Sequence, residues 1–368
     1  MNDKIKNIIV VICFMTFIFS ISLANIITPD KEVSNTERRK LDQFSSLTLE
    51  NYTQKFDEYA LDQFVGRDWF RKIKAYVTYN VFNQKDNNQI YIVDGQVSKY
   101  TNTINEKSVV TAANKFNRMY EKRLKNMNVY YSVIPNKNHF IAEENGYPSI
   151  DYTRYVALLQ ENLNSNMKYI DIFNELNIND YYSTDIHWRQ ENLSKIVSKL
   201  SSKMNFKANS ELKENKLDNF YGNYYGQAAL PIDSEELTYL TNDIIDSCTV
   251  KILNEQTFEM EDANVYNLEA YKGIDPYDIF LSGAKPIISI ENNKSTTDKE
   301  LVVFRDSFGS SLAPLLIEGY KKITLVDLRY FATALFTDEL VPLNDGQDVL
   351  IMTYTDILDN STILKILD

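Results

Sequence analysis

Histidine and cysteine are scarce in this chain of 368 residues. It has two histidines, His139 and His187, and two cysteines, Cys13 and Cys248. Two cysteines cannot form a disulfide framework or a thiolate zinc site, and a metal site would need more His or Cys ligands than the chain has. We therefore expect neither a metal nor a cofactor. A histidine-dependent mechanism would have only two candidate bases.

Positive charge is also in short supply. The chain has 39 Lys and Arg against 51 Asp and Glu, a formal net charge of -12. Binding of nucleic acid depends on Lys and Arg that neutralise phosphates, so we expect no nucleic-acid partner. Hydrophobic residues make up 44% of the chain. At this length they can build a large core.

A long apolar run occurs at the N-terminus. Lys4 and Lys6 precede the run Ile8–Ala24, which is slightly short for a membrane span and slightly long for a signal peptide. Ser22–Ala24 offers small residues for a signal peptidase. We predict that residues 1–28 are a membrane anchor or a cleaved signal. The lysines would stay cytoplasmic and the rest of the chain would lie outside.

The remaining chain divides into two predicted parts. Residues 29–84 are predicted to be a linker followed by two helices with aromatic residues at helical spacing, and residues 85–368 the main domain. Strands alternate with helices there, which predicts an α/β fold with a mostly parallel sheet. Residues 205–275 lack this alternation of strands and helices and are predicted to be an insertion or lid. The predicted strands are 90–93, 129–134, 169–173, 301–304, 323–326 and 349–352, and the predicted helices are 106–126, 152–165, 189–203 and 310–318.

Ser307 lies directly after a predicted strand and before a predicted helix. Unpaired backbone N–H groups at a helix N-terminus stabilise an oxyanion that develops during acyl transfer. Ser307 is therefore a candidate nucleophile. The alternative is that Asp306 and Ser307 only cap the helix.

Asp185 and His187 are two positions apart, so their side chains can converge in an extended segment. A carboxylate on one imidazole nitrogen leaves the other free to accept the proton of a serine. The alternative is a histidine in a surface loop. His139, which also follows a predicted strand, is the competing base.

Several sequence blocks resemble the DHHW family. Thr184–Trp188 is similar to its Thr-Asp-His-His-Trp signature, and Arg305–Phe308 to its Lys-Asp-Ser-aromatic block. Val326–Phe331, Ile134–Lys137 and Ser34–Leu41 resemble three further family blocks. The resemblance spans nearly the whole chain. The family is related to the SGNH hydrolases and to extracytoplasmic alginate O-acetylation proteins.

The resemblance implies an SGNH/flavodoxin-like, doubly wound sheet and a triad of Ser307, His187 and Asp185. It also implies acetyl transfer onto a polysaccharide, with a membrane-bound O-acyltransferase as the partner that delivers acetyl groups. The chain departs from the family at Ile186, which replaces the first signature histidine, and at Ala284, which stands where members carry the Asn of Gly-Gly-Asn.

Three functions follow from these residues. The favoured one is an extracytoplasmic polysaccharide O-acetyltransferase with an acetyl-serine intermediate. The alternatives are a carbohydrate acetylesterase with the same triad, and a polysaccharide-binding or assembly component with weak catalysis, which Ala284 favours. We predict oxyanion or substrate contacts for Gly283, Trp188, Arg305 and Arg329. For Trp188, stacking on a sugar ring and packing in the core are both open.

Overall fold

The computed structural model describes residues 2–34, 36–44 and 52–367. The chain forms two compact units, residues 1–87 with 225–231, and residues 88–224 with 232–368. Residues 35 and 45–51 of the predicted linker lie outside the described residues. The predicted boundary at residue 84 and the predicted extent of the insertion stay predictions.

The first unit begins with a long apolar helix, α1 (Asp3–Ile27), of which no residue is buried. It is long and apolar enough to cross a membrane, and an anchor or a signal sequence would both have this character. Short strands β1 (Val33–Ser34) and β2 (Arg39–Lys40) pair antiparallel. Helices α2 (Tyr52–Asp62) and α3 (Arg67–Tyr76) follow as the helical spacing predicts, and α3 continues into a π-helical turn.

The second unit contains an eight-stranded sheet in the order β10-β9-β11-β13-β12-β14-β5-β6, and two separate hairpins, β3-β4 and β7-β8. Its strands are β3 (Ile90–Val93), β4 (Gln96–Lys99), β5 (Asn128–Ile134), β6 (Lys168–Tyr169), β7 (Lys213–Phe220), β8 (Glu235–Thr241), β9 (Thr249–Leu253), β10 (Met260–Ala263), β11 (Ile287–Glu291), β12 (Glu300–Phe304), β13 (Lys322–Val326) and β14 (Asp348–Tyr354). The remaining helices are α4 (Glu106–Met119), α5 (Asn138–Ile141), α6 (Tyr152–Asn162), α7 (Ser194–Met204), α8 (Asn223–Ala228), α9 (Phe308–Leu316) and α10 (Thr355–Asp359).

The sheet is mixed, and the predicted α/β fold class is confirmed. Strands β13, β12, β14, β5 and β6 run parallel, whereas β11, β9 and β10 join antiparallel. Strands β9 and β10 come from the region predicted to be an insertion, so part of that region extends the sheet. The predicted strand 169–173 is much shorter, because only Lys168 and Tyr169 pair with β5.

Helices cover both faces of the sheet. Leu301 and Val303 of β12 face the cluster that includes α7 and α9. Val302 and Phe304 face the cluster that includes α4 and α6. Because alternate side chains point to opposite faces, a strand buried on both sides needs a continuous apolar run. This explains why the run before Ser307 is so strongly apolar.

Candidate active site

Ser307 lies between β12 and α9, at the N-terminal end of the helix. Its own side chain makes no capping hydrogen bond. Asp306 Oδ1 instead accepts from the Phe308 amide in the first turn of α9 (3.1 Å), and its Oδ2 accepts from the Tyr354 amide at the end of β14 (2.6 Å). The Ser307 hydroxyl is therefore available for another partner.

That partner is His187. The His187 Nε2 atom lies 2.7 Å from Ser307 Oγ, and His187 Nδ1 lies 2.5 Å from Asp185 Oδ1. Asp185 and His187 are buried, whereas Ser307 is half-buried. The three side chains thus form one continuous series of hydrogen bonds that ends at the residue most open to solvent.

Asp185 is fully buried, and its carboxylate accepts three hydrogen bonds. Besides the His187 ring, Oδ1 accepts from the His187 amide (3.0 Å), and Oδ2 from the Asn223 amide (2.7 Å). Burial alone would raise the pKa of the Asp185 carboxyl. The charge of His187 and hydrogen bonds from His187 and Asn223 outweigh burial and hold this pKa well below its usual value. Asp185 is therefore a carboxylate that orients His187 and keeps the proton on Nδ1.

Aromatic rings hold the imidazole from its faces. Tyr277 stacks on His187, with ring centroids 3.8 Å apart, and Phe308 lies tilted at 4.8 Å. The Tyr277 hydroxyl donates to Ser311 Oγ (2.8 Å), and Trp188 Nε1 donates to the same oxygen (2.8 Å). Ser311 belongs to α9, so the helix that begins after Ser307 also fixes the ring that stacks on His187.

Lys137 is a buried cation beneath the segment that carries Asp185. Its Nζ donates to the carbonyls of Val97 (2.7 Å), Tyr182 (2.8 Å), Ser183 (3.0 Å) and Asp185 (3.3 Å). Burial lowers the pKa of Lys137 to about 7, although the charges of Glu235 and Asp185 oppose the change. Lys137 therefore acts on the site through the backbone, as a positioning residue.

Glu235 and Gly222, which lie in the region predicted to be an insertion, contact the segment that carries Asp185. Glu235 accepts from the amides of Ser183 (2.9 Å) and Thr184 (2.8 Å) and forms an ion pair with Arg189. The Gly222 amide donates to Thr184 Oγ1 (2.8 Å). A Cβ at Gly222 would lie 2.2 Å from the Thr184 carbonyl oxygen, so only glycine allows this approach.

The surroundings of Trp188 and Gly283 bear on the roles considered for them. Trp188 is fully buried and packs edge-on against Phe308, so it offers no face to a sugar ring; the prediction of sugar stacking is wrong and the packing alternative holds. The Gly283 amide donates to the Phe280 carbonyl (3.0 Å). Its role as an oxyanion donor stays a prediction and would require the loss of that hydrogen bond.

The two candidate arginines are held by the same carboxylate. Arg329 forms a bidentate pair with Asp327 at 2.9 and 2.6 Å. Arg305 is buried, lies 3.7 Å from Asp327, and donates to the carbonyls of Gly283 (3.3 Å) and Lys285 (3.2 Å). Arg305 therefore fixes the loop around Gly283. Substrate contacts for both arginines stay predictions.

His139, the competing base, packs among aromatic rings. It makes edge contacts with Phe140, Tyr152 and Phe173 at centroid distances of 4.6–5.2 Å. Burial lowers its pKa. This environment favours a neutral packing residue over a general base.

Sequence reasoning missed Tyr277 and Asp278, which follow Pro276 in a short 3-10 helix. Burial, and then the charge of Asp275, raise the pKa of Asp278 to about 6, while His187 is among the charges that oppose this. The part of the chain that the structure describes holds no group of three or more His, Cys, Asp or Glu suited to a metal ion.

The fold is shared with solved structures. A DHHW family protein from Eubacterium siraeum matches with a TM-score of 0.64 and 19% identity, over 76% of this chain and 95% of that one. Bacillus cereus PatB1 with a sulfonyl adduct matches with a TM-score of 0.56 and 20% identity, over 73% of this chain and 95% of that one. A second structure of Bacillus cereus PatB1 has the same TM-score, 0.56, at 16% identity, over 74% of this chain and 97% of that one. No family model and no curated protein matches the sequence. At these identities the likeness concerns the fold, which is that of the DHHW protein and PatB1.

Proposed function

We propose that this chain is an extracytoplasmic O-acetyltransferase that moves an acetyl group onto a polysaccharide through an acetyl-Ser307 intermediate. The observation that carries the proposal is the continuous hydrogen bonding from Asp185 through His187 to Ser307, at 2.5 and 2.7 Å. Nucleophile, base and orienting carboxylate stand in the geometry that activates a serine. The resemblance of the sequence blocks to the DHHW family supports acetyl as the transferred group.

Each half-reaction moves one proton through His187. Ser307 Oγ attacks the acetyl carbonyl carbon while its proton passes to His187 Nε2, and Asp185 stabilises the imidazolium. The proton then goes to the leaving group of the donor as the acyl bond breaks. A sugar hydroxyl gives its proton to His187 and attacks the acetyl-serine. Ser307 recovers its proton when the acetylated sugar leaves.

The Ser307 amide is the oxyanion donor in this proposal. It lies at the N-terminus of α9, where backbone N–H groups and the helix dipole favour negative charge. Among the residues that the structure describes, no acceptor is bonded to this amide. The oxyanion that forms on the acetyl carbon next to Ser307 Oγ can therefore use it.

Hydrolysis of p-nitrophenyl acetate by the full chain in detergent tests the nucleophile and the base. We expect that Ser307→Ala and His187→Ala each abolish the hydrolysis, whereas Ser149→Ala, at another half-buried serine, leaves it unchanged. A sulfonyl fluoride should label the peptide that contains Ser307, with a bond from Oγ to sulfur and loss of fluoride. Full activity in Ser307→Ala would overturn the proposal.

A carbohydrate acetylesterase is the second candidate, and the partial exposure of Ser307 favours it because water can reach the acetyl-serine. An oligosaccharide acceptor separates the two functions. Acetylated oligosaccharide in mass spectra supports transfer. Brisk hydrolysis without acetylated product supports the esterase, and binding of polymer without either reaction supports an assembly component.

The proposed setting is the outer face of a membrane, with α1 as anchor or as a signal that is removed. A membrane-bound O-acyltransferase would supply acetyl groups to Ser307. Co-purification of the full chain with such a protein, and loss of polymer acetylation when either is deleted, test this part of the proposal.

A further inference from the structure

The apolar face of α3 points outward, the reverse of the usual arrangement of a helix on a globular protein. Trp69 and Tyr76 have exposed fractions of 61% and 58%, and Phe70 and Ile73 of 43% and 40%. The buried residue of α3 is the small Ala75. A contiguous exposed patch of large apolar side chains marks an interaction surface.

Charged side chains on the other face of α3 fix this orientation. Arg67 and Arg71 both form ion pairs with Glu37, Arg71 at 3.3 Å. Asp68 accepts a hydrogen bond from Thr36 Oγ1 at 3.4 Å. The polar face is therefore turned toward its own unit, and the aromatic face remains for an external partner.

The arrangement of charge around the aromatic face matches an anionic lipid surface. At 3.6 residues per turn, Trp69, Ile73 and Tyr76 fall within a sector of about 60°, and Lys72 lies about 40° from its edge. Of the cationic residues in RDWFRKIKAY, Arg67 and Arg71 pair with Glu37 on the other face, whereas Lys72 is exposed beside the aromatic face. Helices that lie in the membrane interface combine an aromatic face with flanking lysines that reach the phosphates.

Hydrogen bonds place this helix at the end of α1. The Asn25 side chain, near the end of α1, accepts from the Val65 amide at 2.8 Å. Lys31 and Gln63 exchange two hydrogen bonds, at 2.9 and 3.0 Å. Trp69 lies in the first turn of α3, four residues after Val65. The aromatic face of α3 therefore begins close in the chain to the contact with the end of α1.

We propose that α3 is an interfacial helix that lies in the headgroup layer of an anionic membrane, next to the exit of α1. Trp69, Phe70 and Ile73 contact the acyl boundary, and Lys72 contacts lipid phosphates. The proposal rests on the membrane placement of α1 proposed above and is independent of acetyl transfer.

The two tryptophans of the chain make a direct test available, because Trp188 is fully buried and Trp69 is 61% exposed. The full chain is reconstituted into lipid nanodiscs that contain phosphatidylglycerol, with or without lipids brominated near the headgroup. We expect brominated lipids to quench the Trp69 emission and to leave that of Trp188. In the Trp69→Phe control the remaining emission should be unaffected by bromine.

Two measurements distinguish a failure of the proposed anchor α1 from a failure of the proposal for α3. Elution of the chain with the nanodisc reports the anchor, and quenching reports α3. Elution with the disc but unquenched Trp69 overturns the proposal and indicates that the face serves a protein partner or a second copy. The variant Lys72→Glu should lose part of the quenching while it still elutes with the disc. Equal quenching in that variant would contradict the role of Lys72.

Discussion

The ring of Tyr277 lies parallel to the imidazole of His187, with ring centroids 3.8 Å apart and the planes at 7°. Asp185 fixes the imidazole at its edge and Tyr277 fixes it at its face. The two contacts together leave Nε2 directed at Ser307. Tyr277 also donates a hydrogen bond to Ser311 of α9. The same helix therefore begins after Ser307 and holds the ring that stacks on His187.

Two replacements of Tyr277 distinguish the contribution of ring stacking to kcat from that of the hydroxyl group. Tyr277→Leu removes the ring, and we expect kcat for p-nitrophenyl acetate to fall by about 10–100-fold, because an ordered base contributes about 10²–10⁴-fold to such reactions. Tyr277→Phe keeps the ring and should lose less than tenfold. Thermal melting of both variants controls for folding. Equal losses in kcat would show that the stack has no part in orientation.

Asp185→Asn tests the orienting carboxylate. The amide presents two N–H donors where the carboxylate accepts from His187 Nδ1, the His187 amide and the Asn223 amide. The imidazole would take the wrong tautomer, and we expect kcat to fall by about 10³–10⁴-fold, as in serine hydrolases generally. Asp262→Asn, at an exposed carboxylate, is the control and should keep full activity. A loss of less than tenfold for Asp185→Asn would contradict the assigned role.

The parts of the fold that were predictable are those with a strong local pattern. The apolar runs of β5, β12 and β14 predict strands that are buried on both faces. Strand β10, with the sequence MEDA, has no such pattern and forms because it pairs with β9.

Ser307, His187 and Asp185 were predictable from local chemistry and motif order, and the structure brings them together, whereas their catalytic roles stay a proposal. The Tyr277 stack arises from residues distant in the chain. The contacts of Lys137 could not be predicted from the sequence either, because its acceptors are backbone carbonyls, which every sequence has.

Lys137→Met tests whether the buried cation holds the Asp185 segment. The methionine leaves carbonyls of Val97, Tyr182 and Ser183 without this donor. A buried polar group that loses its partner costs about 1–3 kcal/mol, and we expect the free energy of unfolding to fall by about 2–4 kcal/mol. Denaturant titration measures this, and Lys125→Met, at an exposed lysine, is the control. Loss of kcat with little change in KM would support positioning, and unchanged stability and kcat would contradict it.

The same lysine predicts a pH dependence of stability. Burial lowers the pKa of Lys137 to about 7 in the folded chain, from 10.5 in the unfolded chain. Between these values the unfolded state binds the additional proton, so stability rises with pH. We expect the wild-type chain to gain stability relative to Lys137→Met from about pH 7 to pH 10. Unfolding free energies at a series of pH values test the sign, and a fall relative to the variant would contradict the assignment.

Gly222→Ala tests the contact between Gly222 and the segment that carries Asp185. An added Cβ would lie 2.2 Å from the Thr184 carbonyl oxygen and 2.3 Å from Asp185 Cβ. Because the nearest atom is backbone, the segment must move, and displacement by about 1 Å can cost about 10²-fold in rate. We therefore expect kcat to fall by about that factor.

Gly346→Asn is the control for Gly222→Ala. Gly346 has φ +77 and nothing within 4 Å of an added Cβ, and asparagine tolerates this left-handed conformation. The control should keep its activity, and near-ultraviolet circular dichroism should report a native core in both variants. An active Gly222→Ala enzyme would mean that Asp185 keeps its place without the contact from the insertion, and that Lys137 and Glu235 suffice to hold it.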